Sequence, residues 1–169
     1  MHLIINCSLN NNSKSKLMAV YAYNLFRKNV KLIDLKDISL PFCDGDKCYE
    51  EPIVKELKEY ITKADSIIIS SPIYNYDLNA AAKNLIELTG RSWTDKLVGM
   101  IVAAGGKSSY MSPISFMNIL MLDFRCIIIP RFVYADKECF RGSEISSEKI
   151  KNKIQELVDQ SLKLSKALS

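Results

Sequence analysis

The chain has 169 residues, 48% hydrophobic and 25% charged, with a net charge of +4, a length and balance that describe one globular domain able to bury roughly 70% of its unfolded surface. The charge is spread along the chain with acidic residues interleaved, which excludes the concentrated basic stripe of a nucleic-acid binder and allows only a mild preference for anions. Apolar runs near 67–69 and 127–129 are far short of the roughly 20 residues a membrane span needs, and residues 1–6 lack a basic n-region and an h-region, so a cytoplasmic location is expected.

Short β-branched runs alternate with helical patterns, the signature of βαβ units and a parallel sheet. In chain order the pattern predicts strands at 2–6, 30–34, 65–71, 97–104 and 126–130. Helices are predicted at 14–28, 51–63, 79–89, 111–123 and 147–167, the last carrying Ile150, Ile154, Leu157, Val158, Leu162 and Leu164 on one face behind a Ser146 or Ser147 cap. "SIIIS" and "CIIIP" are apolar on both faces, as a parallel strand covered by helices must be. The segment 37–52 is the longest expected loop, and nothing divides the chain, so residues 1–169 are expected to form one domain.

Open parallel sheets bind ligands at the carboxyl ends of their strands. Three loops therefore matter: "CSLNNNSKS" after the first strand, "SSPIYNYDLN" after the third and "AAGGKSSYMS" after the fourth. The first supplies hydroxyls, amides and the N–H groups of a helix start, a setting that favours an anion. Neither GxxxxGK[ST] nor GxGxxG occurs, so a phosphate monoester is a better guess than a P-loop nucleotide or a Rossmann-bound dinucleotide; plain helix capping is the alternative. The second loop places Tyr74 and Tyr76 around Asn75, groups able to stack on a planar ligand and hydrogen-bond its rim, or simply to pack. In the third, Gly105 and Gly106 permit close approach of backbone to a ligand, or form an ordinary turn.

Together these loops describe a phosphate cradle, an aromatic wall and a glycine-lined floor on one sheet edge. The segment "SPIYNYDLNAAAKN" resembles the Ser-Pro-x-Tyr-Asn segment and following Lys-Asn of the NADPH-dependent FMN reductase family, matched here by Pro72, Tyr74, Asn75, Lys83 and Asn84. The resemblance covers nearly the whole chain and implies a flavodoxin-like three-layer α/β sandwich with a five-stranded parallel sheet in order 2-1-3-4-5. It further implies noncovalent FMN, its phosphate at Ser8, Asn10, Ser13 and Ser15 and its ring against Pro72, Ile73, Tyr74, Asn75 and Tyr76 and against Gly105, Gly106 and Tyr110. NAD(P)H would deliver hydride, reduced FMN would pass it to a quinone, flavin, azo compound or metal ion, and the protein would be a homodimer. No side-chain acid or base is required. The alternatives are a flavodoxin-like electron carrier with a protein partner and a cofactor-free derivative of the fold.

Departures from the family pattern are local. Cys7 stands for Gly and Asn10 for Arg in the phosphate loop, with Lys14 and Lys16 as candidates to compensate, and Ser109 and Tyr110 replace a second glycine pair, which makes the rim bulkier. Five Cys at irregular spacings contain no CxxC pair, so reduced thiols are expected. Cys43 and Cys48 fall where related iron–sulfur flavoproteins carry four cysteines; two thiols cannot supply that ligation, leaving a reversible disulfide or chance placement. His2 has no acidic or Cys partner nearby in sequence and is assigned no catalytic or metal role, and Trp93 is expected in the core or an interface.

Overall fold

The computed structural model describes residues 1–168. The chain runs β1 (His2–Asn6), α1 (Lys14–Phe26), β2 (Val30–Asp34), α2 (Pro52–Lys63), β3 (Ser66–Tyr74), β4 (Asp77–Leu78), α3 (Ala80–Thr89) and β5 (Leu97–Ala103). It continues through α4 (Pro113–Phe124), β6 (Ile127–Ile128), β7 (Val133–Ala135), β8 (Phe140–Arg141), β9 (Glu144–Ile145) and α5 (Glu148–Leu168). A seven-stranded, largely parallel sheet has the order β2-β1-β3-β5-β6, with β4 antiparallel to β3 and β7 parallel to β5; β8 and β9 form a separate hairpin.

This corrects the expectation of five strands in order 2-1-3-4-5. Two local events add strands. Asn75 and Tyr76 both take positive φ, 50° and 62°, and turn the end of β3 back on itself, pairing Tyr74 with Asp77; two left-handed residues between paired strands are the type I′ arrangement that matches strand twist. The expected strand at 126–130 is also interrupted, because Pro130 lacks an N–H and Arg131 takes φ 63°, so the chain pairs with β5 first as β6 and again as β7. Helix boundaries shift for similar reasons: α1 stops at Phe26 because Arg27 has φ 61°, and α3 begins after Asn79, which caps it.

Strand residues alternate between two helical layers. Leu3, Ile5, Ile67, Ile69, Val98 and Met100 meet α2, α3 and α4 through Leu57, Ile61, Leu85 and Phe116. Ile4, Ile68 and Ile101 meet α1 and α5 through Met18, Ala22, Ile154 and Leu157. Each fully buried Ile of this kind is worth about 1.5–3 kcal/mol relative to exposure. Gly99 permits the close approach of α5, since a Cβ there would lie 2.8 Å from Leu157 Cδ1. Trp93 is wholly buried, its Nε1 donating to Thr89 Oγ1 at 2.7 Å, and so belongs to the core. His2 is buried against Ser66, with Nδ1 2.8 Å from its hydroxyl, and stacks on Phe26.

Candidate functional site

The parallel strands β1, β3 and β5 end side by side, and the loops that follow them enclose an open cleft of about 240 Å³. Eight of the twelve residues singled out in the sequence line it: Ser8, Asn10, Ser13, Ser15, Pro72, Ile73, Tyr74 and Gly105. Asn75 and Tyr76 sit at the tip of the β3–β4 turn, and Gly106 and Tyr110 lie farther along the third loop, all outside that lining.

The first loop is internally wired. Ser13 caps α1, its hydroxyl accepting from Lys16 N at 3.0 Å and lying 2.9 Å from Ser15 Oγ. Ser15 Oγ donates to Asn6 Oδ1 at 3.1 Å, and Ser70 Oγ donates to the Ser15 carbonyl at 2.8 Å. Ser8 Oγ accepts from Asn10 N at 3.3 Å and Asn10 Oδ1 from Asn12 N at 2.8 Å, two successive side-chain turns that set the loop's shape. Because Ser13 satisfies only the third N–H of α1, those of Lys14 and Ser15 have no acceptor within the helix and carry its positive dipole end toward the cleft.

Neither lysine behind the loop points simply at the cleft. Lys16 Nζ pairs with Asp34 Oδ2 at 2.6 Å. Burial alone would raise the Asp34 carboxyl, but Lys16, the Asn6 amide at 2.9 Å and the Lys36 N–H at 3.3 Å together hold it below the ordinary carboxylate range. Lys14 lines the cleft, yet its ammonium donates to the Gly142 carbonyl and lies 5.3 Å over the Phe140 ring. A further cation, Lys137, reaches the same cleft from the segment after β7. Sequence reading missed it because the second half of the divided fifth strand was not foreseen.

Asn79 also took no part in the predicted site. It is buried; Nδ2 donates to the Cys7 carbonyl at 2.6 Å, and Oδ1 accepts from Ser71 Oγ at 3.1 Å and Ala82 N at 3.3 Å. One side chain thus ties the loop after β1, the end of β3 and the start of α3. Asn6 does similar work at the base of the loop, and both were hidden because a buried Asn and a loop Asn look alike in sequence.

The aromatic rim is open. Tyr74, Tyr76 and Tyr110 are 51%, 69% and 46% exposed. Tyr76 OH donates to Ser108 Oγ at 3.4 Å and Ser115 Oγ to Asp77 Oδ1 at 2.8 Å, bridging the hairpin to the third loop and α4. Tyr110 packs on Phe132 and Tyr134 with centroids 5.0 and 5.3 Å away, so it leans on the far wall of the third loop. Tyr134 OH in turn bonds the Gly106 carbonyl and lies 2.9 Å from Ser109 Oγ, fixing the glycine turn. Behind the loop after β1, Leu9, Leu40, Phe42 and Ala81 help line a second cavity of about 460 Å³; Asn84, also in its lining, accepts from Cys43 N and donates to the Pro41 carbonyl, both at 2.9 Å.

A three-layer sandwich with helices on both faces of a parallel sheet, and with a helix start and aromatic side chains at one sheet edge, is a flavodoxin-like arrangement. The sequence model of the NADPH-dependent FMN reductases matches residues 2–139, and the chain belongs to that family. It is 27% identical over 133 residues to an NAD(P)H-dependent FAD/FMN reductase of Geobacillus thermodenitrificans, covering 76% of this chain and 71% of the relative. To an NAD(P)H:quinone oxidoreductase of Solanum tuberosum it is 33% identical over 108 residues, 59% of this chain and 56% of the relative. Among solved structures, the flavoenzyme NAD(P)H:(acceptor) oxidoreductase FerB of Paracoccus denitrificans superposes with a TM-score of 0.81 at 20% identity, covering 98% of this chain and 97% of that one, a likeness of fold.

Proposed function

We propose that this chain is an FMN-binding, NAD(P)H-dependent oxidoreductase that reduces small acceptors such as quinones, flavins or azo compounds. The observation that carries the reading is the single cleft in which the start of α1, the Pro72–Tyr74 segment and Gly105 converge, in a chain of the NADPH-dependent FMN reductase family. The donor set fits FMN: the first-turn N–H groups of α1, the side-chain amides of Asn10 and Asn12, and two lysines at the rim suit a phosphate monoester. Bound there, FMN would supply the chemistry of accepting hydride from NAD(P)H and delivering electrons onward.

The protein's own contribution is placement. The N–H groups of Lys14 and Ser15, with Asn10 and Asn12, hold the phosphate, while buried Ser13 and Ser15 keep the helix start in shape. Tyr74 and the backbone of Pro72 to Tyr76 flank the ring, and donor N–H groups along that segment favour negative charge on it. Asn75 and Tyr76 set the hairpin angle, and Gly105 leaves space beside the ring, while Tyr110 packs on Phe132 and Tyr134 outside the cleft lining. We read residues 1–169 as one flavin-binding domain, cytoplasmic and homodimeric. No helix among the described residues is long and apolar enough to cross a membrane. In support of a homodimer, α4 leaves Ile114, Met121 and Leu122 exposed on its outer face.

The test is an absorbance spectrum after incubation with FMN and desalting, followed by NAD(P)H oxidation with a quinone. Retained flavin with turnover is the expected result. Retained flavin without turnover would favour an electron carrier, and a colourless protein would remove FMN from the reading.

A further inference from the structure

Ahead of α2, the segment Cys43-Asp-Gly-Asp-Lys-Cys48 folds back on itself. Gly45 takes φ +77°, a conformation that costs glycine little, and the Asp44 carboxylate accepts from Asp46 N at 2.9 Å and Cys48 N at 3.1 Å. The turn sets the two sulfurs 4.0 Å apart, both as free thiols. Cys43 is partly exposed and lies 3.5 Å from Tyr49 OH, while Cys48 is buried with Val54 and Leu88. We propose that Cys43 and Cys48 form a peroxide-reactive dithiol that closes reversibly to an intramolecular disulfide.

The gap from 4.0 Å to a bond of about 2.05 Å is less than the sweep of a sulfur between χ1 rotamers. Cys43, the accessible partner, attacks the peroxide O–O bond as thiolate, giving a sulfenic acid and releasing hydroxide. The Cys48 sulfur then attacks Cys43 Sγ; the S–S bond forms, the S–O bond breaks, and hydroxide leaves. With the two thiol protons the two hydroxides become water, so the cysteine pair loses two electrons and the peroxide gains them.

The other thiols lack this arrangement. Cys7 is buried, and burial, then the Asp34 charge, pushes its thiol well above the ordinary range. Burial pushes Cys126 up to about 11, and Cys139 faces the Asp136 carboxylate at 3.6 Å rather than a second sulfur. Among the described residues no group of three or more His, Cys, Asp or Glu side chains is placed to hold a metal, so the pair is not part of a larger ligand set. The inference stands on these two sulfurs and does not depend on the flavin reading.

The test treats fully reduced protein with hydrogen peroxide, blocks remaining thiols with iodoacetamide and maps peptides by mass. The expected result is loss of two of the five alkylatable thiols, an intact mass lower by two hydrogens, and peptides joined through Cys43 and Cys48 because trypsin cuts after Lys47, all reversed by dithiothreitol. In Cys48→Ser, dimedone should trap a sulfenic acid at Cys43; in Cys43→Ser, Cys48 should stay reduced. Wild-type protein that keeps all its thiols, stops at a dimedone adduct, or cross-links through other cysteines would overturn the proposal, and that measurement requires no variant to fold.

Discussion

In the loop after β1, Ser8, Ser13 and Ser15 are buried and each hydroxyl already has a partner within the protein, whereas Tyr74 and Tyr76, in the hairpin after β3, are half or more exposed. The two regions border one cleft yet are built in opposite ways. The first spends its side chains on its own shape and presents backbone N–H groups; the second spends its backbone on a tight turn and presents side chains. For the loop, substitution should therefore change stability first and ligand affinity as a consequence. For the hairpin, affinity should change with little effect on stability.

The largest effect is expected where the two regions are joined. Asn79→Ala removes the donor to the Cys7 carbonyl, the acceptor for Ser71 and the cap of α3 at once. Leaving the buried Cys7 carbonyl unpaired should cost about 1–3 kcal/mol in urea denaturation of the cofactor-free protein, since Ser71 Oγ keeps the Pro72 carbonyl and Ala82 N the Asn79 carbonyl, with FMN affinity falling as well. A variant of wild-type stability would show that the loop holds its shape without this brace and would break the comparison.

Next is Tyr74→Ala, a half-exposed side chain on the cleft wall. Loss of one aromatic contact should weaken FMN by about tenfold, near 1.4 kcal/mol, in a fluorescence titration, while the urea midpoint stays unchanged. Should both move together, the hairpin would be structural too.

The parallel strands, and the three loops that meet at the cleft, were legible in the sequence because β-branched apolar runs favour a sheet covered on both faces, and because the loops after the strands of a parallel sheet gather at their carboxyl ends. What was not legible depended on backbone sign and on partners far along the chain. Asn75 and Tyr76 read as ligand groups, but their positive φ makes them first the turn that creates β4. Lys16 read as a substitute for the missing Arg, but Asp34, far from it in sequence, claims it. Lys137 could enter the cleft only once β7 was separated from β6.

The turn gives a smaller, double-sided prediction. Tyr76 holds φ 62°, a conformation that bulky residues resist, so Tyr76→Gly should gain up to about 1 kcal/mol of stability by relieving it. Asn75→Ala should weaken FMN binding a few-fold without unfolding the protein; unchanged affinity would confine Asn75 to its role in the turn. Paired urea melts and FMN titrations on the two variants separate backbone from side chain within one hairpin.

The smallest effect concerns the ion pair beneath the first loop. The Asp34 carboxyl is held below its ordinary value in the folded protein despite the opposing effect of burial, so its contribution is present above the unfolded carboxylate range, near pH 3.9, and is lost as pH falls through the lower folded value. Asp34→Asn should flatten that acid limb of the stability curve relative to wild type. It also frees Lys16, whose ammonium is otherwise held 2.6 Å from the carboxylate. If the first loop relies on backbone donors alone, FMN affinity in Asp34→Asn should stay within about twofold of wild type, a difference under half a kcal/mol. A clear rise in affinity would mean that a freed lysine can take the place of the missing Arg, and that the loop's side chains are less committed to its own shape than their hydrogen bonds indicate.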